Sequence, residues 1–161
     1  NGIGTEKDFN YSFLYYLHAA KNGSAVAQYA VGKFYSDEEF APGSICPVNF
    51  YTGHLWFERA AEHGYSSAMF EMGFDFYHGK GAVFDLDKAL FWYEKAAEKG
   101  NVAAMFNTAL FYHGNEGIIY EDANKAGYWF NQAAQKGDKE AQKALSYYKY
   151  SSFSNKWKKI D

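Results

Sequence analysis

Small and aromatic residues recur along the chain at i, i+3, i+4, i+7 and i+8, as in Ala89, Trp92, Tyr93, Ala96 and Ala97. This spacing marks one stripe of an amphipathic helix. The stripe returns as Ser12, Tyr15, Tyr16, Ala19, Ala20; as Gly53, Trp56, Phe57, Ala60, Ala61; and as Ala126, Trp129, Phe130, Ala133, Ala134. Each copy closes on Ala-Ala-x-x-Gly, ending at Gly23, Gly64, Gly100 and Gly137, with spacings of 41, 36 and 37 residues. Self-similarity at such a period predicts a repeat array.

A second helical pattern follows each glycine, over Ala27 to Tyr35, Ala68 to Tyr77, Ala104 to Tyr112 and Ala141 to Tyr150. Gly32, Gly73, Ala109 and Ser146 share one offset within it, and a small residue there lets a neighbouring helix approach. The glycine between the two helices fits the left-handed position that ends a helix. Each unit is therefore predicted to be a helical hairpin, with aromatic residues filling the seam. The return connections carry Gly79-Lys80-Gly81 then Asp85, and Gly114 to Gly117 then Asp122, which read as helix stops followed by helix caps. The connection Ser36 to Phe50 is longer and holds both prolines and the single cysteine, so it predicts an insertion loop. Repeat boundaries fall near 1–41, 42–82, 83–119 and 120–150, and 151–161 forms a tail whose Phe153 and Trp157 are suited to cover an open apolar end.

The pattern A-x-x-W-Y-x-K-A-A-x-x-G, followed by A-x-x-x-L-G-x-x-Y and joined by G-x-G and D-x-x-K-A, resembles the Sel-one-like repeat family, a relative of tetratricopeptide repeats. The match is closest over Asp85 to Ala89 with Trp92 to Ala97, and over Asp122 to Ala126 with Trp129-Phe130. Departures are the 36–50 insertion, Ala109 where the family favours glycine, and the missing closing Gly-x-Gly of the fourth copy. The resemblance implies an all-α fold, a right-handed α-solenoid in one repeat domain spanning 1–161. It also implies a non-enzymatic scaffold or regulator that binds another protein or peptide. A bacterial immunity protein, neutralising a secreted toxin by direct binding, is the alternative role. The opening Gly2-Ile3-Gly4, of a kind that follows a second helix, predicts that the chain is part of a longer protein.

Composition narrows the function. Of 161 residues 48% are apolar, with 15 Phe, 15 Tyr and 4 Trp, enough for a packed core. The net charge of -3, with Arg59 as the only arginine, argues against nucleic acid as partner. Cys46 has no cysteine to pair with, and no run of about 18 apolar residues marks a membrane span. A soluble chain is expected, with cytoplasm and periplasm both open in a bacterial setting.

Candidate chemistry mostly dissolves into architecture. Gly79-Lys80-Gly81 lacks the third glycine and the Gly-Lys-Ser/Thr ending of a phosphate loop, and repeats elsewhere as a helix stop. His18, His54, His63, His78 and His113 contain no i, i+4 pair of the zinc-helix kind. No Gly-x-Ser-x-Gly element occurs, Cys46 has no identifiable base, and the regularly spaced cysteines of lactam-associated relatives are missing. No catalytic residue, metal ligand or cofactor is predicted. By the geometry of tetratricopeptide relatives, the concave wall is lined by Phe13, Leu17, Lys21; His54, Glu58, Glu62; Leu90, Glu94, Glu98; and Gly127, Asn131, Gln135. Four glutamates there would suit a partner with a basic patch. Asp37, Glu38, Glu39 and Phe40 of the insertion form the second candidate contact.

Overall fold

Helix starts in this chain follow from short polar side chains set just ahead of the periodic runs. Ser24, Asn49, Asn101, Asp122 and Asp138 take extended backbone and accept hydrogen bonds from amides two or three residues on. Those bonds satisfy donors that a first helical turn leaves unpaired. Asp85 acts alike, accepting from Lys88 N at 3.0 Å.

The computed structural model describes residues 9–37, 46–114, 120–152, 154 and 156–160. Among the described residues eight α-helices run in order: α1 Phe9–Lys21, α2 Ala25–Ser36, α3 Phe50–Glu62, α4 Ser66–His78, α5 Leu86–Glu98, α6 Val102–His113, α7 Ala123–Gln135 and α8 Lys139–Ala144. A 3-10 turn, Leu145–Tyr147, then leads into strands β1 Tyr148–Ser151 and β2 Lys156–Lys159. Gly2-Ile3-Gly4, residues 115–117 and Phe153 lie outside the described residues, as do Glu38, Glu39 and Phe40.

The Ala-Ala-x-x-Gly element is a helix terminator in all four copies. Gly23, Gly64, Gly100 and Gly137 have φ of 88, 81, 89 and 94°. A Cβ there would meet nothing within 4 Å, so the backbone sign rather than space selects glycine. The two alanines supply the closing acceptors: in the first copy Gly23 N donates to Ala20 O at 3.1 Å and Ser24 N to Ala19 O at 3.2 Å, and the other three repeat this. Their methyl groups meanwhile are mostly buried, with Ala60, Ala96 and Ala133 at 0% exposure.

The chain divides into two compact units, Asn1–Ala89 and Leu90–Asp161. In the first, α1 packs on α2, α2 on α3 and α3 on α4. Its core gathers Phe13, Val31, Phe34 and Cys46, with Phe13 edge-on to Phe34 at 5.5 Å between ring centroids. In the second, Tyr93 meets Phe111 at 5.9 Å, α6 packs on α7, and α7 carries α8 and both strands.

Two expectations change. The stripe is buried in α3, α5 and α7 apart from the half-buried Trp56, Trp92, Trp129 and Ala134, but in α1 Tyr15 and Tyr16 are 69% and 37% exposed, because among the described residues no helix lies over them as α2 lies over α3. The last helix stops at Ala144 instead of reaching Tyr150. Beyond it the chain is rich in tyrosine, with Tyr147, Tyr148 and Tyr150, a residue type that favours strands. The two strands pair antiparallel, Tyr148 opposite Lys159 and Tyr150 opposite Trp157. Trp157 does cover apolar surface, as expected of the tail, by lying on Gly127 of α7.

Candidate partner-binding surface

In the first unit, α3 presents its exposed edge through Glu58 and Glu62, one turn apart and both exposed. Arg59, the nearest cation in sequence, is turned aside: its guanidinium stacks 4.6 Å above the Trp56 ring. Neither glutamate has an ion pair among the described residues. Two uncompensated carboxylates on one helical ridge form a local negative site.

Three of the predicted wall residues lie in the core instead. Phe13 and Leu90 are 6% and 8% exposed, and Leu17 packs against the cluster around Phe13. Their apolar side chains turn inward from a position that in α3 and α7 holds other chemistry. His54 is also buried, and its Nδ1 lies 2.8 Å from Asp75 Oδ2 of α4. The ring stands edge-on to Phe76. Burial pushes the Asp75 carboxyl above its ordinary range, while the His54 hydrogen bond pulls the other way. This pair joins α3 to α4 and presents nothing outward.

In the second unit, Glu94 is half-buried and engaged. The Tyr112 hydroxyl donates to its Oε1 at 2.7 Å. Lys125 of α7 donates to the same hydroxyl oxygen at 3.0 Å, its ammonium 4.4 Å over the Tyr112 ring. Burial first, and then the bond to Glu94, raise the Tyr112 phenol, whereas the bond that Lys125 donates to Tyr112 raises Lys125. Glu98 is exposed, in a loose 3.9 Å pair with Lys95. Gln135 is exposed and Asn131 half-buried. Gly127 is covered: a Cβ would stand 2.5 Å from Trp157 Cβ, and Trp157 N donates to Asn124 Oδ1 at 2.9 Å. Asp37, half-buried, stands at the C-cap position of α2 in extended backbone.

The sequence reading missed the Glu94–Tyr112–Lys125 cluster and the His54–Asp75 pair. The first had a trace in the repeat pattern. Lys88 and Lys125 hold the same place in D-x-x-K-A, and Lys88 lies 5.2 Å over Phe76 as Lys125 lies over Tyr112. Among the described residues, no group of three or more His, Cys, Asp or Glu side chains is arranged to hold a metal ion. No described helix is long and apolar enough to cross a membrane.

The Sel1 repeat model matches residues 1–24, 25–65, 66–101 and 102–138, most of the chain. The chain belongs to the Sel1 repeat family. Its full family windows run from the start of a second helix, α2, α4 or α6, through the glycine after the next first helix. A crystal structure of a Sel1 repeat protein from Oxalobacter formigenes superposes with a TM-score of 0.75 at 34% identity, covering 89% of this chain and 55% of that one. A protective antigen of uropathogenic Escherichia coli with an SLR fold gives 0.72 at 30% identity, covering 82% and 27%. Helicobacter pylori cysteine rich protein B gives 0.64 at 18% identity, over 90% of this chain and all of that one, a likeness of fold alone. A Sel1-like repeat-containing protein of Schizosaccharomyces pombe is 30% identical over 92 residues, half of this chain. The chain spans 14% of that relative's length. The fold is thus the all-α Sel1 repeat solenoid. Sel1 repeat proteins are generally protein-interaction scaffolds, and the match indicates no enzymatic family.

Proposed function

We propose that this chain is a non-enzymatic interaction module that holds a partner protein through exposed acidic positions of its first helices, the partner bringing lysine or arginine. The observation that carries the reading is the pair Glu58 and Glu62, exposed and unpaired while Arg59 is held over Trp56. Exposed charges of this kind steer encounter and select partners more than they add affinity. Helix positions are also fixed in advance, so the carboxylates need little ordering on binding. Glu98 offers a weaker site of the same sign in the second unit. The insertion after Asp37 supplies the other contact in this reading.

Capture of partners by the native chain beside a Glu58→Lys, Glu62→Lys variant tests it. A partner held by the native chain should be released by the variant at low salt, and native binding should weaken as salt rises. Equal retention by both chains rejects the acidic ridge. A secreted toxin bound one-to-one among the captured proteins would make the chain an inhibitor rather than a scaffold.

A further inference from the structure

The strand pair is the part of this chain that the repeat does not explain, and its outer face carries one sign of charge. Between Glu140 and Asp161 the sequence holds five lysines and no carboxylate. Lys149 stands directly opposite Lys158, and Ser151 opposite Lys156, so alternation puts these lysines on the face turned away from Tyr148, Trp157 and α7. Lys149, Lys156 and Lys158 are exposed, and none has an ion pair among the described residues. Like charges directly opposite one another destabilise a strand pair, a cost that an arriving carboxylate relieves. The next pair in the alternation is Tyr147 and Ile160, joined by Ile160 N donating to Tyr147 O at 2.8 Å; their side chains are 59% and 45% exposed. The ribbon therefore presents an apolar end followed by a basic end.

The outer ridge of α3 has the same two-part order with the opposite charge. Tyr51, Leu55, Glu58 and Glu62 follow one another at i, i+4, i+7 and i+11, and so share one side of the helix. Tyr51 is 63% exposed and Leu55 half-buried, and the two unpaired glutamates come next. Spacing matches as well as sign. Four helical residues carry Glu62 about 6 Å beyond Glu58. On the ribbon, Lys149 and Lys158 are about 5.5 Å apart across the strands, and Lys156 and Lys158 about 6.6 Å apart along one strand. Each carboxylate can thus meet its own ammonium group, while Tyr51 and Leu55 lie against Tyr147 and Ile160.

We propose that the basic outer face of the strand pair docks on the Tyr51–Glu62 ridge of α3 in a second copy of this chain, so that copies associate head to tail. The inference rests on the reading of Glu58 and Glu62 as a seat for a basic partner, and it names that partner. A long polyanion is the poorer fit, because the whole chain carries a net charge of -3 and the face has no arginine to grip phosphate bidentately. A short carboxylate ridge meets mainly the local field, which reaches about 8 Å at physiological ionic strength. The two surfaces differ, so the contact is heterologous, and each copy can give one and receive one.

Sedimentation equilibrium of the native chain at rising concentration and low salt should show the mean mass growing beyond one chain. Exposed ion pairs are individually weak, so growth belongs at about 0.1 to 1 mM, and raising salt to about 1 M should move it at least about tenfold higher. A Glu58→Lys, Glu62→Lys chain and a Lys149→Glu, Lys158→Glu chain should each stay monomeric alone. Their equimolar mixture should associate again, because each offers the other a complementary surface. If the lysine substitutions lift the strand pair off α7, seen as a shifted tryptophan emission, Lys156→Glu carries the test. A native chain still monomeric at about 1 mM, association that survives either double variant, or a mixture that stays monomeric would overturn the proposal. So would a monomeric native chain that binds anionic vesicles through these lysines, since a membrane surface would then be the occupant. Where the native chain does not self-associate but a basic partner is still released by Glu58→Lys, Glu62→Lys, the ridge reading stands and only this proposal falls.

Discussion

Phe57 and Tyr16 stand at the same place in the repeat, and replacing each with alanine should give very different losses. Phe57 is 1% exposed, touched by Tyr29 and by the Gly32 backbone. Its truncation removes the transfer energy of a buried ring and leaves a cavity that a helix pair cannot readily collapse. That combination costs about 3–5 kcal/mol. Tyr16 keeps more than a third of its surface in water, so its truncation should cost under about 1.5 kcal/mol, half or less of the loss at Phe57. For a chain of this size about 4 kcal/mol corresponds to a fall of roughly 10 °C in Tm. The assay is urea and thermal unfolding followed by far-UV circular dichroism, with native-state amide exchange to show whether loss at Phe57 opens α2 and α3 or the whole chain. Exchange matters here because repeat proteins owe stability to nearest-neighbour interfaces and need not unfold as one unit. Equal losses at the two positions would refute the argument, because burial by the preceding helix would then not be what distinguishes them.

Gly127→Ala should push Trp157 off α7, since the added Cβ would sit 2.5 Å from the Trp157 Cβ; about 1–3 kcal/mol and a red-shifted tryptophan emission are expected, and an unshifted spectrum would contradict the close contact. Asp122→Ala removes the acceptor of Asn124 N and Lys125 N and should cost about 1 kcal/mol, read as a lower urea midpoint with an unchanged slope. His113, hydrogen-bonded to Tyr148, has its pKa lowered mainly by burial and then by Lys159. A depressed base binds fewer protons folded than unfolded, so its contribution should be present above the ordinary histidine range and shrink as pH falls through about 6.5. A Tm profile from pH 8 to 5 should therefore be steeper for the native chain than for His113→Gln, and parallel profiles would exclude His113 as the source.

The fold was legible because repetition multiplies weak signals. A single Ala-Ala-x-x-Gly is an unremarkable helix end, but four copies in register identify a terminator, and the paired carbonyls of the alanines now explain why that element recurs. The wall was less legible. Helical spacing says which positions share a face, but not how deep each one lies. Phe13, His54 and Leu90 share a register position with Gly127, and the structure buries all four, Phe13 in an aromatic cluster, His54 against a carboxylate partner and Gly127 under a covering tryptophan. The C-terminal strands escaped because a ten-residue helical expectation was extended from the earlier repeats over Tyr147, Tyr148 and Tyr150, whose own preference is extended. Glu94 looked free in sequence because its partners, Tyr112 and Lys125, belong to two other helices.

The contact between Trp157 and Gly127 also works as an address. The strand pair can dock only where a first helix lacks a side chain at that register position. Leu90 fills the place in α5, His54 in α3 and Phe13 in α1. One absent methyl group therefore tells the strand pair which first helix to lie on, and it suggests a rule for building with this fold. Transplanting residues 145–160 onto another hairpin should succeed only when glycine is installed there too, and moving that glycine should move the strand pair with it.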